Sequence, residues 1–162
     1  MFSMIDDYAA ECDALQKAIV GLTDDEMNAV PLPGTWSIRQ IVLHLMDAEL
    51  VMSDRMKRVI AEDRPALEAY DESLFAQRLG YDQADADLAA ELFSLNRRQT
   101  ASILRRLTVA DFAREGIHSE RGPVSLANLL AGAVGHLEHH LRFLHDKRQM
   151  IGKPLVPGTA RE

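Results

Sequence analysis

Apolar side chains recur at alternating intervals of three and four residues in four segments of the chain, a spacing typical of helices that bury one face. These segments are residues 3–22, 38–62, 82–107 and 125–152. No segment shows convincing alternation of apolar and polar residues, so no β-strand is expected. The pattern therefore predicts an all-α protein built as a four-helix bundle.

Two helix starts carry explicit capping signals. Ser37 and Gln40 form an S-x-x-Q capping box at the start of the second helix, in which each side chain accepts a hydrogen bond from the other residue's backbone N–H. Thr23 and Glu26 form the same arrangement and predict a short helical turn. Ser125 is expected to cap the fourth helix.

The third helix is expected to bury a stripe of large aliphatic side chains, namely Leu88, Leu92, Leu95, Ile103 and Leu107. Gln99 lies at the centre of that stripe. A buried amide without partners costs on the order of 1–3 kcal/mol, so Gln99 is expected to face either a substrate pocket or a polar neighbour such as Asn96 or Asn128. Both interpretations stay open on the sequence alone.

The periodicity dissolves between the second and third helices. Residues 63–81 contain Pro65, Gly80 and scattered aromatic residues, and long connections in small bundles often cross over the bundle or cover a pocket. The chain of 162 residues suits one domain, predicted over residues 1–152. Residues 153–162, with two prolines and no periodicity, are predicted to form an irregular tail.

Charge and cysteine content exclude several classes of protein. The 18 Lys and Arg residues against 25 Asp and Glu residues give a net charge of −7, and the basic residues form no tract. Neither a nucleic-acid partner nor an anionic membrane surface is therefore expected. Cys12 is the single cysteine, which excludes an intrachain disulfide, and its place in an apolar stripe predicts a small buried side chain.

A cytoplasmic location is expected. The N-terminal residues are acidic where a signal peptide has a basic region. The longest apolar stretch, residues 126–135, is shorter than the roughly 20 residues that span a bilayer.

Four of the six histidines lie in the segment GHLEHHLRFLH of the fourth helix. At ~100° per residue, His136 and His140 lie one turn apart on one flank of the apolar stripe. His139 points roughly to the opposite side, toward solvent, and His145 lies on the other flank. Two histidines spaced four residues apart on a helix can bind one metal ion.

A third ligand must come from another helix. His44 is the only histidine of the second helix, and it lies on a flank of that helix's apolar stripe. Three neutral imidazoles suit Zn²⁺, Ni²⁺, Co²⁺ or Fe²⁺. Such an ion lowers the pKa of a bound water from about 15.7 to about 7, or holds an incoming thiolate. The alternative is that these histidines are structural and hydrogen-bonded.

The chain also resembles a known family. The segments WSIRQIVLHLMDAE (36–49) and HLEHH (136–140) resemble the DinB/YfiT-like superfamily, and the likeness extends over nearly the whole chain. The resemblance implies a four-helix bundle with an up-down-down-up order. It also implies a divalent metal bound by one histidine of the second helix and by an H-x-x-x-H pair of the last helix, which correspond here to His44, His136 and His140.

One departure affects the substrate. Many relatives follow the last ligand with Arg-Gly-Gln, whereas Leu141, Arg142 and Phe143 follow His140 here. The family includes transferases of low-molecular-weight thiols such as bacillithiol or mycothiol, a thiol-dependent maleylpyruvate isomerase, and metal-dependent hydrolases. The resemblance therefore implies a metal-dependent enzyme, with zinc or nickel favoured, that transfers a thiol to an electrophilic small molecule. The alternatives are a metal-dependent hydrolase and a non-catalytic, metal- or ligand-binding stress-response bundle.

Several polar residues are candidates for supporting roles. Asp47 lies ~60° from His44 around the helix and is expected either to orient an imidazole or to line the substrate pocket. Glu49 lies on the far flank, where an ordinary salt bridge is expected, and His118 is expected at the surface. Water is favoured over a carboxylate as the fourth metal ligand. Leu155 and Val156 are candidate contacts for a homodimer.

Overall fold

The computed structural model describes residues 2–155, and most of them are helical. The helices are α1 (Phe2–Ala10), α2 (Ala14–Ile19), α3 (Asp24–Asn28), α4 (Ile38–Ala61), α5 (Glu72–Arg78), α6 (Ala86–Leu104) and α7 (Leu126–Met150). Three short strands are β1 (Ala66–Leu67), β2 (Glu115–His118) and β3 (Gly122–Ser125). Within the predicted tail, residues 153–155 have no regular secondary structure, and residues 156–162 lie outside the described part of the chain.

The bundle has four arms, namely α1 together with α2, α4, α6 and α7. Side-chain contacts show in which direction each arm runs. Arg39 at the start of α4 donates a hydrogen bond to the carbonyl of Ala84, just ahead of α6, and Glu49 pairs with Arg97 further along both helices. The helices α4 and α6 are therefore parallel.

The first arm, α1 and α2, runs in the opposite direction to α6. Asp6 in α1 pairs with Arg105 at the end of α6, whereas Asp13 pairs with Arg98 nearer the middle of α6. The last helix, α7, is antiparallel to α4, because the early His44 contacts the late His140 and the later Met52 lies beside Gly132. The order is up-down-down-up, as predicted.

The predicted capping boxes are present. Ser37 Oγ accepts a hydrogen bond from the Gln40 N–H at 3.2 Å, and Gln40 Oε1 accepts one from the Ser37 N–H at 2.9 Å. Thr23 and Glu26 form the reciprocal pair at the start of α3. These bonds satisfy N–H groups that a helix start otherwise leaves unpaired, and they fix where α4 begins.

The core consists of two apolar clusters with a buried polar layer between them. One cluster joins α2 with the first halves of α4 and α6 and the last half of α7, and the other joins α1 with the opposite ends of the same helices. Between them Arg97, which is 1% exposed, pairs with Glu49 at 2.9 Å and donates a hydrogen bond to the carbonyl of Tyr8. The Tyr8 hydroxyl donates to Glu49, so these three polar contacts link α1, α4 and α6.

Two expectations about helices are wrong. The first helix is divided into α1 and α2 by a turn at residues 11–13, and Cys12 in that turn is buried as predicted. The first three residues of the predicted stripe face outward, with Leu88 62%, Leu92 40% and Leu95 55% exposed, whereas Ile103 and Leu107 are half-buried. The buried apolar residues of α6 are instead four alanines, one phenylalanine and one leucine, namely Ala86, Ala89, Ala90, Phe93, Ala101 and Leu104. Small side chains allow α6 to pack closely against α4 and the first arm.

The prediction that the chain contains no β-strand is also wrong. β2 and β3 form an antiparallel hairpin, and β1, from the connection after α4, pairs parallel with β2. The hairpin can lie against α4 because Gly116 has no side chain. A Cβ there would lie 2.7 Å from Leu67 Cδ1 and 3.0 Å from Val59 Cγ2. The strands are too short for alternation to be recognised in the sequence.

Replacing Arg97 by Met is expected to destabilise the protein by about 3–5 kcal/mol, because the Glu49 carboxylate then stays buried without its partner. The matched control is Arg98→Met, which breaks an exposed ion pair with Asp13 and is expected to cost at most about 1 kcal/mol. Urea denaturation of the three proteins measures both effects. Equal losses in the two variants would show that the buried layer has no special role in stability.

Candidate metal centre and adjoining cavity

Three histidines from two helices meet where α4 packs against α7. His44 lies in the second turn of α4, and His136 and His140 lie one turn apart on α7. Trp36, which precedes the α4 capping box, places its ring 5.0 Å from the ring of His44. We call His44, His136 and His140 the histidine cluster.

The imidazoles of the histidine cluster converge on a common point. Their ring centroids are 5.0 Å (His44–His136), 4.8 Å (His44–His140) and 4.6 Å (His136–His140) apart. One nitrogen from each ring lies within 4.8 Å of the others, and the Nε2 atoms of His44 and His136 are 3.1 Å apart. The structure thus brings together the three residues that helical phase selected.

Burial keeps these imidazoles uncharged. Burial lowers the pKa of each of His44, His136 and His140 to about 4, and repulsion from neighbouring histidines acts in the same direction. At neutral pH each ring therefore has a nitrogen lone pair free to bind a cation. Neutral imidazole is the form in which histidine binds metals.

One carboxylate stands beside the histidine cluster. Glu72 Oε2 lies 3.6 Å from His44 Nε2, and the Glu72 side chain is 58% exposed. Glu72 is the first residue of α5, whose N-cap is Asp71. The connection after α4 thus supplies a wall of the site. Nothing in the periodicity of the sequence marked Glu72, because its position depends on how the connection folds back over α4.

The carboxylates singled out in α4 have other partners. Asp47 accepts a hydrogen bond from the Tyr81 hydroxyl. Its role in orienting an imidazole or lining the substrate pocket stays a prediction. Burial, followed by the Asp47 contact, raises the pKa of Tyr81, which therefore stays protonated as the donor. Glu49 lies on the far flank, as expected, but its salt bridge with Arg97 is in the core rather than at the surface.

Gln99 does not reach the site. Its side chain is exposed, whereas Arg97, ~200° away around α6, is buried among Tyr8 and Phe93. The prediction for Gln99 followed from the leucine stripe and is wrong for the same reason.

The remaining histidines divide into two groups. His139 and His145 are exposed, which agrees with the helical phase. His118 was expected at the surface but is 3% exposed, on β2. Its side chain points inward because strand residues alternate, and Gly116 and His118 form the buried side of β2.

A cavity of about 190 Å³ adjoins the histidine cluster. Its walls come from α4, the connection after α4, the β2–β3 hairpin and α7. The lining residues are Ala48, Met52, Arg55, Ala69, Tyr70, Glu72, His118, Glu120, Arg121 and His136. We call this space the adjoining cavity. Because His136 belongs to both, a small molecule in the cavity would lie next to the histidine cluster.

Comparison with known proteins places the chain in a family. Residues 8–144 match the model of the DinB superfamily, and the chain belongs to that superfamily. It is 31% identical over 140 residues to "Putative metal-dependent hydrolase YfiT" of Bacillus subtilis (strain 168), covering 85% of this chain and 78% of that protein. It is 32% identical over 144 residues to a "Putative metal-dependent hydrolase" of Geobacillus thermodenitrificans (strain NG80-2), covering 86% and 79%.

A solved structure agrees with the fold. YfiT from Bacillus subtilis matches with a TM-score of 0.85 at 27% identity, over 93% of this chain and 86% of that chain. It is described as "a probable metal-dependent hydrolase with an unusual four-helix bundle topology". The family and the four-helix bundle predicted from the sequence are therefore confirmed. In the described part of the chain, no helix is long and apolar enough to cross a membrane.

The metal-free protein is expected to lose stability as the pH falls from about 6.5 to about 4. In that window the unfolded chain binds protons at histidines whose ordinary pKa is 6.5, while the folded cluster, with pKa values of about 4, does not. The stability that depends on these neutral histidines is fully present above pH 6.5 and decreases as the pH falls below that value.

Denaturation of chelator-treated protein at several pH values measures this loss. Replacing all three cluster histidines by Gln should flatten the slope between pH 6.5 and 4, whereas His145→Gln, at an exposed position, should leave it unchanged. An identical slope in the wild type and the triple variant would mean that the cluster is not held neutral by burial.

Proposed function

We propose that His44, His136 and His140 bind one divalent transition-metal ion and that the protein is a metal-dependent enzyme acting on a small molecule, most simply as a hydrolase. The observation that carries this proposal is the convergence of three neutral imidazoles at the edge of a cavity. Zinc and nickel are the favoured ions, and iron and cobalt accept the same ligands.

The residues present suit such an ion. His44 Nε2 faces both His136 Nε2, at 3.1 Å, and Glu72 Oε2, at 3.6 Å, so atoms that can bind a cation converge from three elements of the fold. Three imidazoles with one nearby carboxylate form a donor set typical of catalytic metal sites, in which a position stays free for water or substrate.

A bound divalent ion supplies two kinds of chemistry here, since it lowers the pKa of water and polarises carbonyl or phosphoryl oxygens. Glu72, half exposed at the edge of the site, is placed to accept a proton or to orient a water molecule. Trp36 shields His44 on another side and so limits access of bulk water. The adjoining cavity receives the substrate.

The similar proteins and the lining of the cavity support hydrolysis more than thiol transfer. The relatives quoted above are named as metal-dependent hydrolases, and those names do not mention a thiol. The only cysteine is buried in the turn between α1 and α2 and does not line the adjoining cavity. Thiol transfer would therefore require a free thiol as a second substrate. Cytoplasmic location and a homodimer stay predictions.

Metal content tests the proposed centre. Untagged wild-type protein is expected to contain about one equivalent of a transition metal by ICP-MS, and His136→Ala/His140→Ala is expected to lose most of it. His139→Ala is the matched control, since it removes an adjacent but exposed imidazole, and it should retain the metal. Equal loss in His139→Ala and His140→Ala, or no metal in the wild type after incubation with zinc or nickel, would contradict the assignment.

Turnover separates the reaction classes. The metal-loaded protein should hydrolyse some members of a panel of small esters, amides and phosphoesters without added thiol, and Glu72→Gln should lower the rate without lowering metal content. Activity that appears only with a thiol would favour the transferase. No turnover of the panel or of thiol–electrophile pairs by the metal-loaded protein would favour a non-catalytic metal-binding bundle.

A further inference from the structure

A buried arginine without a counter-ion lines the adjoining cavity. Arg55 on α4 is 7% exposed, and its Nη2 donates a hydrogen bond to the backbone carbonyl of Glu68. Among residues 2–155, no carboxylate forms an ion pair with it. Burying a cation without a partner is costly, so buried arginines are normally paired. Elsewhere in the bundle Arg97 pairs with Glu49. The buried Arg148 has no ion pair among the described residues but donates to three backbone carbonyls, whereas Arg55 donates to one.

A second positive charge lies on the same cavity. Arg121, in the turn between β2 and β3, lines the cavity together with Arg55 and likewise forms no ion pair among the described residues. After burial, the charge of Arg121 is the largest influence that lowers the pKa of Arg55. The two acidic lining residues, Glu72 and Glu120, are exposed and leave both guanidinium groups unpaired. The lining thus carries two arginines and two glutamates, and Arg55 alone among these four is buried, so its charge is the least screened by solvent.

His118 adds an unused hydrogen-bond donor. Its Nδ1 accepts a hydrogen bond from the backbone N–H of Glu120 at 3.2 Å. In the neutral ring the proton is therefore on Nε2. Nε2 is buried without a partner in the described residues, although His118 lines the cavity. Burial, followed by the charges of Arg55 and Arg121, lowers the pKa of His118, which keeps the ring neutral.

We infer that the adjoining cavity is an anion-binding subsite that holds a carboxylate or phosphate group of a small substrate through Arg55, Arg121 and His118 Nε2–H. An oxyanion would supply the missing counter-ion for Arg55 and the missing acceptor for His118 at once. Arginine is suited to this because its planar guanidinium donates two parallel hydrogen bonds to a carboxylate or phosphate.

The cavity is large enough for a small ligand. Its volume of about 190 Å³ suits a short organic acid or a small phosphorylated compound. The anion-binding subsite depends on the proposed function in one respect. If the histidine cluster is the reactive centre, the reacting group of the bound molecule extends past His136 to that cluster.

Isothermal titration calorimetry of chelator-treated protein with malonate tests the subsite, with malonamide as the uncharged control and inorganic phosphate as a second anion, all at constant ionic strength. Malonate or phosphate is expected to bind, and malonamide is not. The stronger of the two anions identifies which group the site prefers. Arg55→Met and Arg121→Gln are each expected to weaken anion binding by about tenfold or more.

Two features keep the test decisive. Arg121 is exposed, so Arg121→Gln should fold even if Arg55→Met does not, and Arg64→Gln is the matched control at an exposed arginine outside this cavity. Binding of malonamide as tight as that of malonate, no binding of either anion, or unchanged affinity in Arg121→Gln would overturn the inference.

The same titration distinguishes this inference from the proposed metal centre. His44→Ala/His140→Ala removes two cluster histidines that do not line the cavity, and it should bind malonate like the wild type. If wild-type protein binds anions but no metal, the metal centre is wrong and the subsite stands. If it binds metal but no anion, the subsite alone is wrong.

Discussion

The buried ion pair between Glu49 and Arg97 fixes the position of α4, and the candidate site depends on α4. Rotating α4 by one residue, ~100°, would leave the Glu49 carboxylate facing apolar side chains, which is far more costly than shifting an apolar contact. With Glu49 held toward α6 and α1, the opposite flank of α4 must face α7 and the hairpin. That flank carries His44 and Arg55. The polar layer of the core therefore sets the direction of the functional side chains.

The two halves of the site are electrically different. In the histidine cluster burial removes charge, so that three imidazoles offer lone pairs at neutral pH. In the adjoining cavity the guanidinium of Arg55 is buried and forms no ion pair with a carboxylate of the described residues. The cluster is thus suited to a cation and the cavity to an anion, and His136 joins them.

The sheet contributes as much as the bundle, because the hairpin places His118 and Arg121, and Gly116 allows the hairpin to approach α4.

Helical phase and capping predicted the parts of the molecule that are local in sequence. The capping box at Ser37, the order of the helices and the three cluster histidines follow from spacing or from family resemblance, and the structure brings those histidines together. The buried face of α6 could not be predicted from hydrophobicity, because leucines are more hydrophobic than alanines and dominate any such pattern. Close packing of helices instead favours small residues on the buried face. Glu72 and His118 depend on a connection and a hairpin whose strands are too short to recognise. The position of Arg55 could in principle have been predicted from the sequence. Arg55 follows His44 by eleven residues and therefore lies ~20° from His44 around the helix.

The three imidazoles of the histidine cluster are proposed to bind one metal ion. X-ray absorption spectroscopy on untagged protein as purified tests it most directly, because the outer-shell scattering of imidazole identifies histidine ligands. If the ion is zinc, nitrogen and oxygen ligands are expected at about 2.0–2.1 Å, with scattering from about three imidazole rings. Sulfur at about 2.3 Å, or a bound metal without imidazole scattering, would contradict it.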